Sequence, residues 1–205
     1  MGCSNPHPHG QVWSLSSIPS EPTKEIESQR QYASRTDLPK SDAPKGPNGR
    51  PNLILEYAHF EVEVPHDEGR VVLKNEHWVA VVPWWAVWPY EIFRMCQPSQ
   101  TNSLNLIPET VTPYCRHVPS ILHLTSEEKA TFATILSQLA KRFDNLFSCS
   151  FAYSMGIHQL PTPRAPISAD SEYADIHLHL HFYPPLLRSA SVRKFLVGCV
   201  LTSRM

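Results

Sequence analysis

The sequence lacks an excess of charge of either sign. Its 205 residues include 18 Lys and Arg against 19 Asp and Glu, which gives a formal net charge of −1 with neutral histidines. Proteins that bind nucleic acids by neutralising phosphates need a basic excess or a basic stripe. The balance therefore argues against a dedicated nucleic-acid binder.

Long hydrophobic runs are also lacking. The most apolar stretch, Trp78 to Trp88, has 11 residues, whereas a membrane-spanning helix needs roughly 20. The first residues show neither the basic nor the apolar region of a secretory signal. These patterns predict no membrane partner and a cytoplasmic location.

Cysteine is present but shows no pairing pattern. The five cysteines are odd in number and widely spaced, and none forms a Cys-x-x-Cys pair. This argues against a disulfide framework and a cysteine zinc ribbon, and it fits a reducing compartment. Proline is plentiful instead, with 20 residues, which predicts long irregular connections.

The first part of the chain changes character near residue 53. Residues 20–52 are polar and rich in turn-forming residues, which predicts mostly loop with a short helix around Glu25–Tyr32. The next block is rich in β-branched and aromatic residues. It predicts three antiparallel strands at 53–64, 70–74 and 77–83.

The second part contains the clearest helix signal. Residues 96–119 follow neither the helical nor the strand period and are interpreted as an irregular insertion. Thr125 and Glu128 then fit a capping box, followed by apolar residues at helical spacing. The pattern predicts a helix over 126–144 and a strand over 151–158.

A further strand pattern, over 176–183, alternates apolar residues with histidines. Its apolar face consists of Ile176, Leu178, Leu180 and Phe182, and its other face carries His177, His179 and His181. Alternate residues on a strand point the same way about 6.6 Å apart, so two imidazoles can reach one metal ion. The competing interpretation is a half-exposed strand with histidines in solvent.

A second histidine group lies near the start of the chain. His7 and His9 flank Pro8, which stiffens the segment and keeps it extended. Gly10 leaves room for an anionic substrate beside the backbone, and the amide of Gln11 can donate to a phosphate oxygen. This combination suits an imidazole that attacks phosphorus.

Four segments together resemble one known family. They are Gly-Cys-Ser-Asn-Pro-His-Pro-His-Gly-Gln (2–11), Glu-His-Trp-Val-Ala-Val-Val-Pro-Trp-Trp-Ala-Val-Trp-Pro-Tyr-Glu (76–91), Tyr-Ser-Met-Gly-Ile-His (153–158) and His-Phe-Tyr-Pro-Pro-Leu-Leu-Arg-Ser-Ala-Ser-Val-Arg-Lys-Phe-Leu-Val-Gly (181–198). In this order they resemble the galactose-1-phosphate uridylyltransferases, a branch of the histidine-triad superfamily. The likeness extends over most of the chain, which corresponds to the C-terminal half or so of the family's usual protein.

The resemblance implies roles for residues near both ends. His9 matches the nucleophile that takes the uridylyl group from UDP-glucose and passes it to galactose 1-phosphate, and Gln11 matches the residue that stabilises the phosphate charge. Residues that match the nucleotide site are Gly2, Cys3 and Ser4. Lys194 and Phe195 match residues near the hexose phosphate.

The resemblance also implies two metal sites. His7 matches one ligand of a structural zinc site, whose other ligands belong to the half of the family's protein that this sequence does not contain. A second, iron-type site, occupied by iron or zinc, matches Glu25, His158, His179 and His181. His177 has no family role. The family's usual homodimer is the implied assembly.

The resemblance implies an α+β fold, with an antiparallel histidine-triad-like sheet flanked by helices and incomplete in this chain. Residues 1–19 are then the end of the N-terminal transferase domain, and 53–205 the C-terminal transferase domain. The 96–119 stretch and the tail from 199 depart from the family pattern and suggest a fragment. Two alternatives stay open: a histidine-triad nucleotide hydrolase with His179 as nucleophile, and a non-catalytic truncated chain that associates with a full-length subunit.

Overall fold

We describe the protein from a computed structural model. It describes residues 16–65, 68–86, 91–96, 116–151, 153–161 and 173–183. The helices are α1 (Ser20–Ala33), α2 (Leu53–Glu63) and α3 (Ser126–Phe147), and the strands are β1 (Val71–Lys74), β2 (Trp78–Val81), β3 (Ile92–Cys96), β4 (Ser154–His158) and β5 (His179–Tyr183). Short 3-10 helices occupy Pro47–Gly49 and Ile121–His123. No helix in these ranges is long and apolar enough to cross a membrane.

The five strands form one antiparallel sheet in the order β1-β2-β3-β5-β4. Helix α3 covers one face, where Ile135, Leu139 and Phe143 pack among the apolar side chains of Trp78 and Leu180. Helices α1 and α2 lie on the opposite side of the sheet, which separates the core into two layers. The predicted α+β class is confirmed.

Helix α3 begins as its sequence predicts. The Thr125 hydroxyl accepts from the Glu128 backbone N–H, and the Glu128 carboxylate accepts from the Thr125 N–H at 2.7 Å. These two bonds satisfy donors that a helix start otherwise leaves free. The last helical residue is Phe147, three residues beyond the predicted 126–144 boundary, and Ser148 caps the helix in the left-handed conformation with φ 52°.

The strand predicted at 53–64 is wrong, because Leu53–Glu63 form helix α2. The Asn52 side chain caps this helix by accepting from the Leu55 N–H. Ile54, Ala58 and Val62 recur every four residues and pack on the sheet. The packing of this helical stripe outweighs the strand preference of the β-branched and aromatic residues.

Most of the other predicted elements are present in the structure. Strands β1, β2 and β4 lie inside the predicted 70–74, 77–83 and 151–158. The 20–52 segment, predicted as mostly loop, contains the 14-residue helix α1, which includes and extends the predicted short helix. Strand β3 was not predicted. Most of the predicted 96–119 insertion lies outside the described residues.

Candidate metal centre

Four side chains converge between α1 and the β4–β5 edge of the sheet. They are Glu25 on α1, His158 on β4, and His179 and His181 on β5, and one potential ligand atom from each lies within 4.8 Å of all the others. We call this group the His3Glu cluster. Its residues are the four that the family resemblance implies for the iron-type site.

Strand geometry explains how the imidazoles meet. In the antiparallel β4–β5 pair, His158 lies opposite His179, and Gly156 lies opposite His181. Alternation along β5 sends His179 and His181 to the α1 side, whereas Leu180 points into the core beneath α3. The ring centroids of His158 and His181 are 4.6 Å apart.

Glu25 joins two of the histidines. Its Oε2 accepts a hydrogen bond from Nδ1 of His158 at 2.7 Å, and its Oε1 contacts Nε2 of His179. Burial raises the pKa of Glu25, but the hydrogen bonds and charges of His158 and His179 outweigh that effect and hold the pKa well below its usual range. The cluster therefore contains a carboxylate at neutral pH.

Both ring nitrogens of His179 have close contacts. Its Nδ1 lies 2.7 Å from the carbonyl oxygen of His177 and must donate to it, because a carbonyl can only accept. In neutral imidazole, Nε2 then carries a lone pair and faces the Glu25 oxygen, which also only accepts. Such a contact calls for a proton or a cation between the two atoms.

His181 offers a further unused donor atom. Its Nδ1 is buried and has no hydrogen-bond partner in the described part of the chain. Burial, and then the neighbouring His179 and His158, lower the pKa of His181 well below its usual value, so its imidazole is neutral, the form that ligates metals. Three imidazoles and one carboxylate suit a transition metal such as iron or zinc.

Gln29 fixes the position of α1 relative to β5. It lies one helical turn after Glu25, and its Oε1 accepts from the His177 N–H at 3.0 Å. Four helical residues rise about 6 Å, close to the roughly 6.6 Å between alternate strand residues. Glu25 consequently reaches His179 while Gln29 reaches His177.

An aromatic ring packs against the His3Glu cluster, and a helix-cap residue holds the segment before β5. The ring of Phe93 on β3 lies 5.1 Å from that of His179 and 4.9 Å from that of His181. Asn52, the cap of α2, also donates to the carbonyl oxygen of Asp175 at 2.8 Å, just before the histidine strand. These contacts leave the imidazoles few alternative positions.

The predicted histidine strand is only partly correct. His177, His179 and His181 are 0%, 1% and 8% exposed, so a strand with solvent-facing histidines is excluded. Strand β5 begins at His179, and His177 precedes it. His177 does not join the His3Glu cluster, because its Nδ1 accepts from the Val118 N–H at 3.2 Å.

The other predicted site residues lie outside the described part of the chain. They are Gly2, Cys3, Ser4, His7, His9, Gln11, Lys194 and Phe195. Sequence reasoning missed Gln29, Phe93 and Gly156. A spacing of four between Glu25 and Gln29 on a predicted helix was the available signal for Gln29. The other two depend on strand pairing.

Comparison with known sequences decides the family. The sequence profile described as "Galactose-1-phosphate uridyl transferase, C-terminal domain" matches residues 25–204. This chain belongs to the galactose-1-phosphate uridylyltransferase family. A relative of that name from Cryptococcus neoformans var. neoformans serotype D is 49% identical over 198 residues, covering 97% of this chain and 43% of its own.

In two more distant relatives, this chain again covers less than half of the matched protein. The galactose-1-phosphate uridylyltransferase of Haemophilus influenzae is 40% identical and is covered over 45% of its length. A solved uridylyltransferase mutant superposes with a TM-score of 0.59 at 22% identity, covering 89% of this chain and 46% of that one. That structure supports the fold. The chain thus spans somewhat less than half the length of each of these three proteins.

Proposed function

We propose that this chain is part of a uridylyltransferase that moves UMP from UDP-glucose to galactose 1-phosphate. The observation that carries the proposal is the family match over 97% of the chain, at 49% identity to a galactose-1-phosphate uridylyltransferase. The active-site signature at residues 2–11 adds support, since it contains both the proposed nucleophile and the proposed phosphate-binding amide.

The proposed reaction has two displacements at phosphorus. An imidazole nitrogen of His9 attacks the α-phosphorus of UDP-glucose, and the bond to the leaving glucose 1-phosphate breaks. A phosphate oxygen of galactose 1-phosphate then attacks the uridylyl-histidine, which releases UDP-galactose and restores the imidazole. Gln11 donates to the oxygen that gains charge. Gly2, Cys3 and Ser4 line the nucleotide site, and Lys194 and Phe195 lie near the hexose phosphate.

We further propose that the His3Glu cluster binds iron or zinc. Its support is the buried, unpaired Nδ1 of His181 and the contact between Nε2 of His179 and the Glu25 carboxylate, which calls for a proton or a cation between them. Glu25 on α1 and the three histidines on β4 and β5 would hold the ion, which would connect α1 to this edge of the sheet. His7 is proposed as one ligand of a separate zinc site whose remaining ligands this sequence does not supply.

Contacts around His179 disfavour the hydrolase alternative. A nucleophile needs a free nitrogen that substrate can reach. His179 is buried, its Nδ1 donates to the His177 carbonyl oxygen, and its Nε2 contacts Glu25. His9 is therefore the better candidate. A homodimer is part of the proposal on the family resemblance alone, and a cytoplasmic location is proposed from the unpaired cysteine pattern.

Intact-mass spectrometry tests the transfer reaction. The purified chain is incubated with UDP-glucose without an acceptor, in parallel with His9→Ala and His179→Ala variants. We expect a uridylyl adduct on the parent chain and on His179→Ala, and none on His9→Ala. An adduct that persists in His9→Ala would overturn the assignment of the nucleophile.

The same experiment addresses the non-catalytic alternative. A folded parent chain that forms no adduct would show that this chain alone does not catalyse transfer. Adding galactose 1-phosphate to adducted protein should remove the adduct and produce UDP-galactose. Failure of that second step would contradict the proposed acceptor.

A further inference from the structure

Gly156 occupies a corner of the His3Glu cluster that carries no side chain. On β4 it precedes His158 by two residues, so the two positions face the same side of the sheet. On β5 the residues opposite are His181 and His179. Three corners of this four-residue square hold imidazoles, and the fourth holds only the hydrogen of glycine.

The space at that corner is occupied by the ring of His158. A Cβ atom placed on Gly156 would lie 3.2 Å from Nε2 and 3.5 Å from Cδ2 of His158. The first distance is shorter than ordinary van der Waals contact, so the ring would have to move by a few tenths of an ångström. The backbone of Gly156 does not itself require glycine, since it lies outside the left-handed region.

The His158 ring has little freedom to move away. Its Nδ1 is held by Glu25 at 2.7 Å. Its ring packs against the rings of His179 and His181, at centroid distances of 5.1 and 4.6 Å. A displacement at Nε2 would therefore be transmitted to the Glu25 contact or to the neighbouring imidazoles.

We propose that Gly156 is a positioning residue of the metal centre, because its missing side chain sets the place of the His158 ring beside Glu25 and His181. The inference rests on the proposed metal site and not on uridylyl transfer. It implies that alanine at 156 weakens metal binding, although alanine ordinarily favours folding over glycine by reducing the freedom of the unfolded chain.

Cobalt binding tests this proposal. The metal-free chain is titrated with Co²⁺ and followed by visible absorption, which reports the ligand field. We expect Gly156→Ala to lose roughly tenfold to hundredfold in affinity, the range for residues that orient metal ligands, with an altered spectrum. Gly46→Ala is the matched control, since an added Cβ there meets nothing nearer than 3.5 Å. It should bind Co²⁺ as the parent does.

A cycle with His158→Ala keeps the test decisive. Once the ring is absent, adding Gly156→Ala should leave Co²⁺ affinity unchanged and should not destabilise the fold. If Gly156→Ala alone unfolds, the double variant should fold. Parent-like affinity and spectrum in Gly156→Ala would overturn the proposal, as would a double variant that fails to fold while His158→Ala folds. Loss of Co²⁺ binding in Glu25→Gln separately tests the site itself.

Discussion

Two halves of one sheet face differ sharply in chemistry. Under α2, apolar helix residues meet apolar strand residues: Ile54, Ala58 and Val62 pack on Val79, Val81, Phe93 and Met95. Under α1, a carboxylate and an amide meet three imidazoles and a backbone N–H. The same face of the sheet therefore carries an apolar core under α2 and a polar, titratable centre under α1.

In each half of this face, the helix presents side chains of the same polarity as the strands beneath it: apolar for α2 and polar for α1. Glu25 on α1 contacts ring nitrogens of His158 and His179, and Gln29 on the same helix accepts from the backbone N–H of His177. Phe93 lies at the border, with its ring near Tyr57 and Trp85 on one side and near His179 and His181 on the other. Substitutions at Phe93 and in either half should therefore show how much each half contributes to stability.

Removing the border ring should have the largest effect. Phe93 is 1% exposed, so Phe93→Ala should lower the free energy of unfolding by about 3–5 kcal/mol through lost burial and a cavity. Urea denaturation measures the change. Phe60→Ala on α2 is the control, since Phe60 is 57% exposed and should change stability by no more than about 0.5 kcal/mol. Similar losses in the two variants would argue against a shared border core.

A smaller loss is expected from the polar half alone. Gln29→Ala leaves the buried His177 N–H without its acceptor, which should cost about 1–3 kcal/mol. Because Gln29 also sets the register of α1, Co²⁺ affinity should fall too. Gln31→Ala, which removes an exposed contact with Glu27 on the same helix, should leave both quantities nearly unchanged. Unaltered Co²⁺ affinity in Gln29→Ala would mean that α1 is held in register by other contacts.

The smallest effect concerns a carboxylate on the opposite face. Burial raises the pKa of Glu128, but its hydrogen bonds with Thr125 and Arg116 outweigh this and lower the pKa below 4.5. Its stabilisation is thus complete above the unfolded-state pKa and is lost as the pH falls through the folded-state value. Glu128→Gln should cost about 1 kcal/mol at pH 7.

The pH dependence of Glu128→Gln supplies its own control. The difference in unfolding free energy from the parent should shrink as denaturation is repeated at decreasing pH below 4.5, the ordinary pKa of the group. A difference that stays constant with pH would show that the charge of Glu128 contributes nothing and that the amide merely packs less well.

Local signals predicted some of this structure and missed the rest for identifiable reasons. The Thr125 and Glu128 pair marks the start of α3, because a capping box depends only on neighbouring residues. Helix α2 was misjudged from its β-branched and aromatic content, although Asn52 was an available cap signal. Its helical form depends on the sheet surface that it covers, which a local pattern does not contain.

Local sequence patterns were also insufficient to define the metal centre. Alternation predicted that His177, His179 and His181 share a face, and two of them do enter the cluster. Which two depends on the register of α1 against β5, a long-range property set by Glu25 and Gln29. The resemblance to the family implied His179 and His181, the two that converge with Glu25 and His158, whereas the periodicity of the strand alone left all three histidines equivalent.

The Glu25 contacts have a consequence for the order of folding. Glu25 is 133 residues from His158 and 154 from His179 along the chain. Closing so long a loop costs conformational entropy that only later contacts repay. During synthesis the carboxylate leaves the ribosome long before its imidazole partners, so the centre cannot assemble until His181 has been made. Any ion that binds there would stabilise the connection between the beginning and the end of the described fold.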